Sequence, residues 1–256
     1  MKSFKLLFIL LSIAALSNAQ VKSQPAKTSS KATDAPPTAM VKDTIPEEVK
    51  IYNRAMLFGD YLVAKNALFG LITKNPDRLD YIDSLARIYF ALGAYPQSLL
   101  AAKIVLDKTP ANLEMLELSA ISQDALGNKK EALEAYEKLY PQTKNLNHAY
   151  QIAVLQFSLQ RYGECNTTTE KILADGEAAK QKISINVDQN SSQQVPLTAA
   201  VHNLRGVMLK EMSQPDKAKT EFEAAVKEAP DFTLAKNNLE MMNKPEEPAK
   251  EEKKKK

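Results

Sequence analysis

The sequence predicts an all-α chain: a solenoid of about five stacked helix pairs, closed by a terminal helix. Three observations predict it. Glycine, proline, small and large apolar positions recur with a step of 34 residues through the middle of the chain. Composition favours helix over sheet, with no Trp, only 7 Gly and long Ala/Leu/Lys/Glu stretches among 256 residues. Both ends run into Pro-, Ser- and Lys-rich sequence, which delimits a folded part over residues 43–243.

The first element is an address. Lys2 and Lys5 precede an apolar run from Leu6 to Leu16, and Ser17-Asn18-Ala19 follows. A basic start, a short apolar core and small residues before the cut make a secretory signal peptide over residues 1–19. The run is too short to span a bilayer, which takes about 18 residues or more. No Cys stands directly after it, so a lipoprotein cut is not expected and cleavage before Gln20 is. The destination is an exported compartment, with the periplasm of a Gram-negative bacterium as the expectation. An uncleaved interfacial anchor is the alternative. Residues 20–42, with Pro36-Pro37 at their middle, read as a disordered tether. Residues 244–256, ending in Lys253 to Lys256, read as a charged, solvated tail. The flanks are basic and the middle mildly acidic, within a total of only +3. That charge is too small for a nucleic-acid binder.

Between the flanks the columns are specific. Gly59, Gly93 and Gly127 keep the step, as do Pro76 and Pro110, with Pro230 closing the last copy. One small-residue column runs Ala64, Ser98, Ala132, Cys165 and Ala218, and a second runs Ala86, Ala120, Ala153 and Gly206. A large apolar column runs Leu71, Val105, Leu139 and Ile172, with Ala225 in the last copy. Two antiparallel helices approach closely only where side chains are small, so Ala86 and Ser98 should face each other. Each Gly ends the first helix in a left-handed conformation, and each Pro stops the second.

This pattern resembles the tetratricopeptide repeat (TPR) family. Ala218-x-x-x-Phe222 with Ala225 and Pro230 is the best match to its helix B. Gly59-Asp60-Tyr61-x-x-Ala64 matches the turn between helices, and Ala132-x-x-x-Tyr136 matches helix B again. The resemblance gives repeats at about 45–76, 77–110, 111–144, 145–177 and 197–230, roughly two thirds of the chain. It departs from the family in having no Trp, Tyr52 at the first small position, and no closing Pro in units three and four. Thr44-Ile45-Pro46-Glu47 reads as the capping box that starts the array. Residues 231–243 read as the capping helix, with Ala235, Leu239 and Met242 on one stripe.

The period breaks at 178–196, where about 19 residues are extra. Lys182 to Val187 alternates apolar and polar like a strand, and Asn190 to Gln194 reads as a loop. Either an unstructured insertion or a short β-arm satisfies this pattern.

No catalytic constellation is present in the sequence, and no enzyme activity is expected. There is no Gly-rich phosphate loop and no G-x-S-x-G elbow. One Cys precludes an internal disulfide. Cys165 with His148 and His202 has no ligand spacing, so no metal and no cofactor is expected, and all three read as packing or surface residues. The resemblance instead implies a peptide groove lined by helix A positions two, five, nine and twelve. These are Asp80, Asp83, Arg87 and Phe90 in unit two, and Glu114, Glu117, Ile121 and Asp124 in unit three. In unit four they are Asn147, Tyr150, Val154 and Phe157. A carboxylate-rich strip beside an aromatic one suits a protein or peptide partner with basic or apolar anchors. The basic clamp of chaperone-binding TPRs is not reproduced: its positions hold Val49, Asn53, Ser84, Glu114 and Leu118. The expected function is a non-catalytic interaction scaffold of the cell envelope. Attachment to an anionic membrane surface through the Lys-rich tail, or service as accessory to a separate envelope enzyme, are the alternatives.

Overall fold

A computed structural model describes residues 45–188 and 191–243. The signal peptide, tether and tail, and Thr44 of the capping box, lie outside the described residues. Within them the chain forms five antiparallel helix pairs, α1 (Glu47–Leu57) with α2 (Tyr61–Lys74), α3 (Leu79–Ala91) with α4 (Tyr95–Lys108), and α5 (Leu113–Ala125) with α6 (Lys129–Thr143). The series continues with α7 (Leu146–Ser158) and α8 (Tyr162–Ala174), then α9 (Leu197–Glu211) and α10 (Pro215–Glu228), and ends in α11 (Thr233–Asn243). Each second helix packs on the first helix of the next pair, as a solenoid requires.

The turn inside each pair is the same device five times. The first helix ends with a backbone N–H reaching five residues back around a left-handed residue, a Schellman closure. The bonds are Asp60 N to Ala55 O, Ala94 N to Tyr89 O, Asn128 N to Gln123 O, Arg161 N to Gln156 O and Gln214 N to Leu209 O, all 2.8–2.9 Å. Gly59, Gly93 and Gly127 sit at φ of 69°, 69° and 80°. Units four and five use Gln160 and Ser213 there, at φ 60° and 58°. The geometry therefore persists where the sequence column loses its glycine.

The columns lie at the contacts between helices. Ala64, Ser98, Ala132, Cys165 and Ala218 are fully buried, as are Ala86, Ala120 and Ala153. Ser98 Oγ donates to Ala86 O at 2.9 Å, which ties α3 to α4 at two facing small-residue positions. Gly206 is required by its partner: a Cβ there would lie 2.5 Å from Cε1 of Phe222. Pro76, Pro110 and Pro230 each follow the last residue of a second helix and its cap. Pro141 instead stands inside α6, which runs on until Lys144 closes it at φ 52°.

The insertion is a β-arm. After a 3-10 turn at Ala178–Lys180, β1 (Lys182–Asn186) pairs antiparallel with β2 (Ser192–Pro196), Ile183 opposite Val195. Ile183, Ile185 and Val195 turn inward and are buried together with Leu197, Val201, Phe232 and Ala235. Gln193 clamps the start of α11, its Nε2 donating to Asp231 O (2.6 Å) and its Oε1 accepting from Thr233 N (3.1 Å). The arm thus ties the fifth pair to the terminal helix.

Candidate peptide-binding face

The carboxylates expected on the groove are present on α3 and α5, and most of them are already paired. Arg78 grips Asp80 through two bonds of 2.8 and 2.7 Å, which hold the Asp80 carboxyl below its ordinary value. Arg87 donates to Asp83 at 2.6 Å and also contacts Glu114, so one guanidinium bridges units two and three. Asn112 adds a longer contact to Asp83 at 3.4 Å. Asp124 pairs with Lys129 across the turn between α5 and α6. Glu117 reaches His148 Nε2 in the next unit at 3.2 Å, while His148 Nδ1 meets Thr143 at 3.0 Å. The strip is therefore both a surface and a ladder of ties between repeats. Glu114 and Glu117 keep about half of their side-chain area in water. Five carboxylates stand against three permanent cations, Arg78, Arg87 and Lys129.

The aromatic part of the expected groove requires correction. Tyr150 and Phe157 are 5% and 6% exposed and Val154 is half-buried, all packed with the β-arm residues and α9 in one core. Burial pushes the Tyr150 phenol well above its ordinary range. Phe157 lies 5.9 Å from the Tyr162 ring in a tilted stack. Both rings belong to one cluster with residues of α8, α9, α11 and the β-arm, so the face of α7 equivalent to the acidic face of α5 is taken up by core packing. Phe90 is half-buried too, edge-on to Tyr95 at 5.8 Å. Asp80, Asp83, Arg87, Glu114, Glu117 and Asp124 are thus brought together, whereas Tyr150, Val154 and Phe157 are not part of the same surface.

Two features escaped the sequence. His148 reads as a packing or surface residue; it is buried, and it carries a tie between repeats through Glu117. Arg205 occupies the place that Leu85 and Ile152 hold in α3 and α7, a position that receives the preceding helix. There it donates to Glu221 Oε1 (2.7 Å), Asn166 Oδ1 (3.2 Å) and Thr169 Oγ1 (3.2 Å), while His202 Nδ1 meets Glu221 Oε2 at 2.7 Å. No single-residue signal marks a polar junction of this kind. Cys165, by contrast, behaves as its column predicts: burial pushes its thiol up to about 12, an inert structural position.

No protein-family profile matches the chain, and no curated protein matches it either. Among solved structures it is similar to YrrB, a TPR protein with an unusual peptide-binding site, at a TM-score of 0.61 and 11% identity over 75% of this chain and 90% of that one. It is also similar to MamA, at a TM-score of 0.58 and 12% identity over 73% of this chain and 92% of that one. The chain has the TPR-solenoid fold. Its helix pairs stack as the repeats of that fold do, and among them α3 and α5 carry the expected acidic positions on faces that still meet solvent. Identities this low carry the fold and leave the ligand to be argued from the surface itself.

Proposed function

We propose that this protein is an exported, non-catalytic scaffold of the bacterial envelope that holds a protein partner through basic groups on the acidic face of α3 and α5. The observation that carries this reading is the pair Glu114 and Glu117, half in water on a rigid helix and backed by Asp80 and Asp83 on the neighbouring one. A preformed surface lowers the ordering cost of a captured peptide, and its carboxylates set the approach of cationic side chains. The peptide-binding site of YrrB, on the same fold, supports a peptide-sized occupant. The leader at residues 1–19 supports export to the periplasm, and the Lys-rich tail supports weak contact with an anionic membrane face.

The test is affinity capture from native envelope with the wild-type chain and with Glu114→Gln/Glu117→Gln. The double variant is expected to lose about 10-fold or more of its salt-sensitive capture while its circular dichroism spectrum stays unchanged. Identical capture profiles would overturn the assignment of this face. Fractionation decides the location: soluble periplasmic protein beginning at Gln20 is expected, and cytoplasmic protein keeping Met1 would refute export.

A further inference from the structure

The first unit presents a surface that the later units bury. In α3 the residues receiving the preceding helix are Tyr81, Leu85 and Ile88, packed in the first core cluster. Their counterparts in α1, one repeat earlier, are Glu47, Ile51 and Arg54, and among the described residues no helix lies before α1. Ile51 is 41% exposed where Leu85 is 7% exposed. Phe58, at the end of α1, is 75% exposed, whereas Leu92, Leu126 and Met212 at the same place in later units are about 40% exposed. With Lys50, Asp60 and Val63 these residues line a shallow groove of about 480 Å³.

Glu47, Ile51, Arg54 and Phe58 are spaced four, three and four residues apart, which sets them on one stripe of the helix. That stripe is nearly palindromic about Ile51, with an acid toward one end, a base toward the other and an apolar residue at the centre. At about 1.5 Å per residue, Glu47 lies about 6 Å to one side of Ile51 and Arg54 about 4.5 Å to the other. Reversing one copy of the helix against another therefore brings Glu47 of each to the level of Arg54 of the other, within about 1.5 Å. Ile51 then meets its own copy, and Phe58 reaches past the N-terminal end of the opposing helix, where Ile45 is also exposed. Among the described residues Glu47 bonds Lys50, 3.1 Å away and exposed, a contact it can share or exchange.

We propose that the N-terminal end of the described array is a homodimer interface in which two α1 helices pack antiparallel about a two-fold axis. The charge pattern commits the occupant to a second copy, because a two-fold contact demands that residue i meet j while j meets i. A single-helix contact of this kind is small, so the association belongs in the micromolar range.

Sedimentation velocity on the purified chain, from about 1 to 300 µM, tests it. The wild type is expected to shift from monomer to dimer across that range. Arg54→Glu and Glu47→Arg each place like charges at both contacts, and each is expected to stay monomeric throughout. An equimolar mixture of the two variants restores both opposite-charge contacts and is expected to dimerise, as is the double variant Glu47→Arg/Arg54→Glu. Circular dichroism confirms that each variant is folded, which separates lost association from lost structure. A wild type that is monomeric over the whole range, a dimer indifferent to either substitution, or a mixture that fails to associate would each overturn the proposal.

Discussion

Helices α5 and α7 hold equivalent places in adjacent repeats, yet one offers its open face to water and the other buries it. Glu114 and Glu117 stand half exposed on α5, whereas Tyr150 and Phe157 on α7 are sealed. The difference lies in the element that each pair packs against on its C-terminal side. From unit one to the near side of unit four the array steps regularly and keeps three separate small cores, one at each junction. From α7 onward one larger core joins two helix pairs, the β-arm and α11. A solenoid is ordinarily a sum of nearest-neighbour contacts. This one is such a sum only in its N-terminal part, and its C-terminal part behaves as a small globular unit. The acidic face therefore ends where the fused core begins.

That contrast breaks first under truncation. Tyr150→Ala or Phe157→Ala is expected to cost about 3–5 kcal/mol, as for other buried aromatics. Glu114→Ala is expected to cost no more than about 1 kcal/mol, the upper range for an exposed pair. Urea unfolding of the three variants checks this, and equal losses on α5 and α7 would remove the distinction between the two parts. A sharper version concerns one column. Alanine occupies it in units two to four, but Gly206→Ala would drive a methyl into the Phe222 ring and is expected to cost about 1–3 kcal/mol. Pairing it with Phe222→Leu should recover part of that loss, a coupling read from a double-mutant cycle. Purely additive losses would mean that the helices move apart instead of clashing.

Legibility in the sequence divides along the same line. Where contacts are local and repeated, as at the turns and the small-residue columns, the 34-residue step locates them, down to the Ser98–Ala86 contact. The strand alternation at Lys182 to Val187 likewise leads to β1, although alternation alone could not separate a β-arm from an unstructured insertion. Exposure was the harder property to read. Whether Tyr150 and Phe157 face a groove or a core depends on where α9 and the arm come to rest, a non-local matter that repeat position does not encode. The pairing of the acidic strip was hidden for a related reason. Arg87 to Glu114 and Glu117 to His148 join residues about one repeat apart, where a column shows identity but not reach.

The smallest effect expected from the contrast is a dependence on pH. Burial by itself would raise the Glu221 carboxyl, but the hydrogen bonds from His202 and Arg205 outweigh it and hold the group below its ordinary value of 4.5. Because the folded state binds this proton less readily than the unfolded chain, the contribution is complete above about pH 4.5 and is lost as pH falls through the lowered folded value. Asp80 is also lowered, by Arg78, but that pair lies in water, where salt screens it. Glu221→Gln should therefore flatten the fall in stability between pH 5 and pH 3, by at most about 1 kcal/mol. Asp80→Asn should leave it unchanged at moderate salt. Denaturant midpoints of both variants across that interval provide the comparison. A larger flattening from Asp80→Asn than from Glu221→Gln would place the acid-sensitive junction in the regular part of the array instead of the fused one.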